Sequence, residues 1–239
     1  MSFLQTSFKT GYITDLILPP TPEGKTLADV YNAGVEVALS MAQTPEQMSA
    51  LNPFVYSVKT MAPTDPHAVD ASALAAHFAV DLDAPYAAGS FVHYEIKDKV
   101  PVALGYSADL TYYSAIRRTS EGIEALTNPG SGVLLHGRWM IKAGMGDGAG
   151  NEGRIGNVAV DAPDGTVDAN ASAHTQTGTG IATGTDGRVI NLLETNTISC
   201  SVLVAWFIRA SMDKAHRTAH QRFKDLWTQK MGERGFPST

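Results

Sequence analysis

The spacing of apolar residues changes period twice along this chain. Residues 26–42 place Leu27, Val30, Tyr31, Ala38 and Met41 at helical spacing. Thr44-Pro45-Glu46-Gln47 then offers an N-cap residue, a proline suited to the first turn, and a glutamine completing a capping box. Asn52-Pro53 stops that second helix early, because a residue before proline is driven out of the helical region. Two helices so closely joined predict a V-shaped pair. Val55 to Met61 reads as a strand. The Pro-, Asp- and Ala-rich stretch 62–88 reads as a loop, with a helical turn at Ala71–Ala79.

From Ser90 the period is two. Val92, Tyr94 and Ile96 alternate with His93 and Glu95. Leu104, Tyr106, Ala108, Leu110, Tyr112 and Ile116 alternate with Ser107, Asp109 and Thr111. Val133, Leu135, Trp139 and Ile141 alternate with His136, Arg138 and Lys142. Such alternation predicts half-buried antiparallel strands. Asp147-Gly148, Asp164-Gly165 and Asp186-Gly187 are hairpin signals within a glycine-rich stretch, 144–187, expected to hold ragged strands and mobile loops. The run Ser201 to Arg209 reads as a strand. It passes with almost no loop into an amphipathic helix, Met212 to Met231, whose stripe is Met212, Ala215, Ala219, Phe223 and Leu226. The expected fold class is α+β: two short N-terminal helices, a curved antiparallel sheet of about six or seven strands, and a long C-terminal helix. No convincing linker divides the chain, so one domain spanning 1–239 is expected. A sheet that curves around its closing helix leaves an apolar cavity beneath it.

Composition narrows the partners. The chain has 239 residues, 44% of them hydrophobic and 18% charged, which suits a globular protein with a real core. A net charge of -6 and the lack of a basic stripe argue against nucleic acid. The longest apolar run, Val202 to Ile208, is far short of the roughly 20 residues of a membrane span. The N-terminal residues lack the pattern of a secretory signal, and the lone Cys200 fits a reducing compartment, so a cytoplasmic location is expected. Cys200, in an apolar strand, reads as an inert buried thiol.

Candidate chemistry gathers on the inward strand faces. Tyr94, Tyr106, Tyr112 and Trp139 share the apolar parity. They are either plain core or the lining of a ligand cavity, where tyrosine hydroxyls can activate a carbonyl or act as acids. His216 and His220 stand one helical turn apart beside the apolar stripe. Such a pair can chelate zinc if Glu194, Glu95 or His136 arrives from a strand. Without an HExxH pattern or a cysteine pair, it reads as cavity edge or surface rather than a metal clamp. Glu194 lies on a strand of open facing. Inward, it would have a raised pKa and could shuttle protons; outward, the preferred reading, it is a surface charge. His136 and Arg138 take the polar parity and are expected in solvent. Gly148-Ala-Gly150-Asn-Glu-Gly153 matches GxGxxG, but a strand-like run follows where a dinucleotide site needs a helix, so it is a decoy.

Several strings carry a resemblance: Leu51-Asn-Pro-Phe-Val55, Tyr94-Glu95 followed by Asp98 and Val100, Gly137-Arg-Trp139, Leu193-Glu-Thr195 and Ala215-His216. Together, in this order, they resemble a family of mostly uncharacterised ascomycete proteins of the START and Bet v 1-like (SRPBCC) superfamily. The resemblance implies a helix-grip fold with an apolar cavity between sheet and last helix. Members of the superfamily bind lipids, sterols, polyketides or terpenoids, and some act as cyclases, dehydratases or hydrolases. It transfers no catalytic residue.

The leading expectation is a natural-product enzyme without a cofactor. It would template cyclisation, isomerisation or dehydration of a polyketide- or terpenoid-like substrate. Tyr94, Tyr112, Glu194 and His216 are the candidate catalytic groups. Tyr106, Leu110, Leu135, Trp139 and Phe223 are the candidate substrate contacts, in a monomer or homodimer. The alternatives are a non-catalytic carrier of hydrophobic molecules and a zinc hydrolase using His216 and His220.

Overall fold

The computed structural model describes residues 5–101, 107–143 and 189–236. In chain order these form β1 (Gln5–Ile17), α1 (Leu27–Ala42), α2 (Pro45–Leu51), β2 (Val55–Met61), α3 (Ala71–Phe78), β3 (Val92–Pro101), β4 (Ser107–Thr119), β5 (Gly122–Gly130), β6 (Val133–Ala143), β7 (Val189–Ser201) and α4 (Val202–Glu233). The strands build one sheet in the order β1-β7-β6-β5-β4-β3-β2, and every neighbouring pair is antiparallel. The expected α+β class, with a helix pair near the start and a long helix at the end, is what this order describes. Leu104, Tyr106, the glycine-rich stretch and the GxGxxG string lie outside the described residues.

Two local expectations need correction, and one strand is not visible in the apolar pattern. The run after Ser201 is helix, not strand: α4 begins at Val202, with the Ser201 hydroxyl accepting from Leu203 N. A continuous apolar run has no period to separate the two states. What decides is packing. Val204, Ile208 and Met212, four residues apart, rest against Phe8, Ile198 and Cys200, while Val202, Leu203 and Trp206 face outward.

The strand that alternation does not reveal is β1. Its buried apolar residues are Phe8, Tyr12 and Leu16, spaced by four. The intervening inward positions are Thr10 and Thr14, so a period of two is hidden behind polar residues. Pairing along its whole length with β7, from Gln5↔Ser201 to Ile17↔Val189, holds it as the edge strand.

The second correction is the capping box, which forms one helix earlier than expected. Thr26 caps α1, accepting from Asp29 N while the Asp29 carboxylate accepts from Thr26 N. Thr44 instead donates to Ser40 O. It follows α1 so closely that an orphan carbonyl of the last turn is the nearer partner.

Helices α1 and α4 cover one end of the sheet with solid core. Trp227, Phe223 and Met231 of α4 meet Val30, Val37, Ala38 and Met41 of α1 over Leu16, Ile190, Leu192 and Ile141. Trp227 Nε1 donates to Gly34 O at 3.0 Å. A Cβ on Gly34 would stand 2.8 Å from Leu18 Cδ2 and 2.9 Å from Ile190 Cδ1, so a larger residue would force those side-chain ends to shift. On the opposite face, α3 seats Leu74 and Ala75 on Ala115 and Leu126. Toward the other end of the front face α1 is absent, and only the first half of α4 and the edge of α2 stand over the sheet. The pocket lies there.

Candidate functional site

A pocket of about 480 Å³ opens between the sheet and residues 204–219 of α4. Its wall on α4 includes Val204, Ile208, Met212, Ala215, His216 and Ala219, a stripe at helical spacing. Strands β3 to β7 supply the floor, and Met48 of α2 and its C-cap residue Asn52 stand at one side. Most of the lining is aliphatic or aromatic. Two carboxylates interrupt it, Glu194 on β7 and Asp98 on β3, four strands apart in sheet order.

Glu194 is fully buried and faces inward, which overturns its reading as a surface charge. Its cross-strand neighbours are Tyr12 on β1 and Trp139 on β6. From above, α4 lowers His216 and His220 onto it. His216 Nδ1 lies 2.6 Å from Oε1 and 2.8 Å from Oε2, and His220 Nε2 lies 3.1 Å from Oε2. Asn196 Nδ2 donates to Oε1 at 2.9 Å. The carboxylate therefore takes three donors, and a double helping of them from one helix face follows from the four-residue histidine spacing. Thr14 Oγ1 lies 2.8 Å from His220 Nδ1. A neutral His220 satisfies both contacts by donating from Nε2 to Glu194 and accepting the Thr14 hydroxyl at Nδ1. Tyr12 stacks on His216, ring centroids 5.1 Å apart, and Trp139 sits 4.7 Å from His220. The two rings that flank Glu194 on its neighbouring strands thus also fix both imidazoles.

Electrostatics follow from this crowding. Burial by itself would raise the Glu194 carboxyl, but the His216 charge and the hydrogen bonds from His216 and His220 outweigh it and hold it at about 2. The expectation of a raised pKa for an inward Glu194 is therefore reversed. With Nδ1 engaged by Glu194, His216 has Nε2 left over. Among the described residues that nitrogen has no partner, and the side chain, 19% exposed, lines the pocket. A carboxylate that orients the far nitrogen of an imidazole is the arrangement of a general base.

Asp98 is the reverse case. It too is buried, at 6% exposure, but its cross-strand neighbours are Val55 and Leu110. Its one described hydrogen-bond partner is the Tyr112 hydroxyl, 3.3 Å from each oxygen. Burial pushes its carboxyl up to about 6, against a small lowering by that hydrogen bond. Burial, with the Asp98 charge beside it, lifts the Tyr112 phenol well above its ordinary value. Sequence reasoning missed Asp98 as a site residue. The signal was present, since Asp98 has the inward parity of Tyr94 and Ile96.

A third buried carboxylate belongs to the other face of the sheet. Glu124 pairs with Arg117 at 2.6 Å and with His136 at 2.9 Å, under Tyr86 and the 62–88 segment. Arg138 Cζ stands 4.4 Å from the centre of the Tyr86 ring. His136 and Arg138, expected in solvent, are partly covered there and point away from the pocket. The 62–88 segment shields them, a tertiary contact that strand parity cannot report.

Of the remaining candidates, Tyr112, Leu110, Leu135 and Trp139 line the pocket with Glu194 and His216. Tyr94 and Phe223 do not. Tyr94 is buried beneath α2, with its hydroxyl donating to Glu46 Oε1 at 3.1 Å. Phe223 is two turns past His216 and sits in solid core against α1. Tyr106 is outside the described residues. Val92, assigned inward, is 44% exposed where β3 leaves the covered part of the sheet. Gly137 serves the site through its missing side chain: a Cβ would stand 2.8 Å from Asn196 Oδ1. Among the described residues no group of three or more His, Cys, Asp or Glu is arranged to hold a metal. No described helix is long and apolar enough to cross a membrane.

Fold and site together define an α+β protein whose seven-stranded sheet and C-terminal helix enclose a pocket with two dissimilar polar ends. The family model described as a domain of unknown function (DUF7053) matches residues 32–228. The chain belongs to that family. The matched span holds Asp98, Glu194 and both histidines, whereas β1, with Tyr12 and Thr14, precedes it. No curated protein matches the chain.

Proposed function

We propose that this is a START/Bet v 1-like, helix-grip enzyme of fungal natural-product biosynthesis, formed as a single domain and working in the cytoplasm. It folds a polyketide- or terpenoid-like substrate in its pocket and promotes cyclisation, isomerisation or dehydration by proton transfer. The observation that carries this reading is the Glu194–His216 pair, with His216 Nε2 unpartnered at the wall of an apolar pocket. In the proposed step, Nε2 takes a proton from the carbon next to a substrate carbonyl. Glu194 stabilises the imidazolium and holds the ring. The proton then returns to another carbon in an isomerisation, to a new alkoxide in an aldol cyclisation, or to a departing hydroxyl that leaves as water. Templating by the apolar walls supplies the rest.

Proton exchange in a plain ketone tests the step without knowledge of the substrate. In D2O the protein should accelerate deuterium uptake next to the carbonyl of 2-octanone, read by NMR. His216→Gln should lose about 100-fold or more of that acceleration. A His216→Gln protein that exchanges at the wild-type rate removes the base assignment.

A non-catalytic carrier is the second reading. Leu203 and Trp206, 73% and 71% exposed, lie on the first turns of α4, beside the pocket residues Val204 and Phe207. That exposed apolar turn suits exchange of cargo with an apolar surface. Binding of 2-octanone with no exchange in the wild type would favour it. A zinc hydrolase using His216 and His220 is the third reading: Glu194 meets both histidines, as it requires, but among the described residues no group of three or more His, Cys, Asp or Glu is arranged to hold a metal.

A further inference from the structure

Of the three buried carboxylates on the sheet, Asp98, Glu124 and Glu194, Asp98 is the one short of donors. A carboxylate offers about four acceptor positions. Glu194 receives donors from His216, His220 and Asn196, and Glu124 receives them from Arg117 and His136. Asp98 receives one hydroxyl, at 3.3 Å. No basic side chain reaches it among the described residues. Its own strand places Lys97 and Lys99 on the opposite parity; Lys97 pairs with Glu95. The walls beside it are Val55, Val100 and Leu110. A buried carboxylate left short of donors costs free energy unless something supplies them.

We propose that Asp98, steadied by Tyr112, is a recognition site for a hydroxyl group on the pocket's ligand. This rests on the reading of the pocket as a site for an apolar small molecule, and it narrows the class. The ligand carries an alcohol or phenol at one end, remote from the carbon presented to His216. A neutral hydroxyl has one hydrogen to give, and Asp98 takes it. An ammonium would leave further N–H groups against Val55, Val100 and Leu110. A ligand carboxylate would face Asp98 with like charge. The separation of the two ends by four strands requires an elongated apolar body between the hydroxyl and the reactive carbon.

Two isomers isolate the donor. 1-Octanol and 1-methoxyheptane share formula and heavy-atom count, and only the alcohol has an O–H. Titration calorimetry should find the alcohol about 10-fold to 100-fold tighter, the range of a hydrogen bond to a charged group. Asp98→Leu should bind the two isomers equally, with the ether within about 3-fold of its wild-type affinity. Asp98→Asn, closer in shape, should shrink the preference without erasing ether binding. Circular dichroism of each variant shows that it is folded. Equal binding of the isomers by the wild type, or a preference that survives Asp98→Leu, overturns the assignment. If neither isomer binds, the apolar-pocket reading fails, and this inference falls with it. If both bind equally, the pocket stands and Asp98 alone is wrong.

Discussion

Glu194 and Asp98 occupy equivalent places and reach opposite states. Each is an inward carboxylate on a strand, flanked at its own level by one residue from each neighbouring strand. Around Glu194 these are Tyr12 and Trp139; around Asp98 they are Val55 and Leu110. The aromatic pair does little for the charge directly. It holds two imidazoles that α4 brings down, and those imidazoles drive the Glu194 carboxyl to about 2. Over Asp98 no such helix face is present, and burial alone lifts its carboxyl to about 6. The difference is one of cover. The same residue chemistry becomes a finished network under α4 and an open acceptor beyond it.

The sharpest way to break this comparison is to remove each carboxylate in turn. Glu194→Leu leaves His216, His220 and Asn196 without their shared acceptor and should cost about 3–5 kcal/mol, read by urea denaturation at pH 7.5. Asp98→Leu should be neutral or stabilise by about 1–2 kcal/mol, a figure reduced because water entering the pocket screens part of the burial cost. Two changes of the same sign would dissolve the distinction.

The pH dependence should separate them next. Glu194 has a folded-state pKa below its ordinary 4.5, so its contribution is complete above that value and is lost as pH falls toward about 2. That limb should span about 2–3 kcal/mol and vanish in Glu194→Gln. Asp98 has a folded-state pKa above its ordinary 3.8. Between there and about 6 the folded state holds the proton that the unfolded state releases, so stability falls as pH rises. That second limb should vanish in Asp98→Asn.

Smaller effects refine the picture. Tyr112→Phe removes the one described donor to Asp98 and should move its titration upward by NMR, with about 1 kcal/mol or less lost at pH 8. Gly137→Ala should displace the Asn196 amide from Glu194 at a cost of about 0.5–1 kcal/mol, with the His216 contact unchanged. A Gly137→Ala protein that melts like the wild type would mean that Asn196 adds little.

The limits of sequence reading show in particular residues. The helix pair, the inward parity of Tyr112, Leu135 and Trp139, and the one-turn spacing of His216 and His220 were legible, because each is a local period. Asp98 was legible by the same parity and was passed over because a single aspartate in an apolar row carries no motif. Tyr94 and Phe223 had the correct inward faces but the wrong neighbours: α2 covers one and α1 the other. Strand β1 was hidden because Thr10 and Thr14 break its apolar alternation, and Thr14 is polar for the sake of His220, more than two hundred residues away.

The sequence by itself determined which side chains share a strand face or a helix stripe, since backbone geometry repeats every 2 or 3.6 residues whatever surrounds it. Tertiary structure alone decided which stretch of each face lies under a helix and which lines a pocket. It also decided that the apolar run after Ser201 is helical, and that Glu194 meets two imidazoles while Asp98 meets none. Those outcomes depend on contacts between residues distant in the chain, and burial, partner and pKa are properties of such contacts rather than of any local pattern.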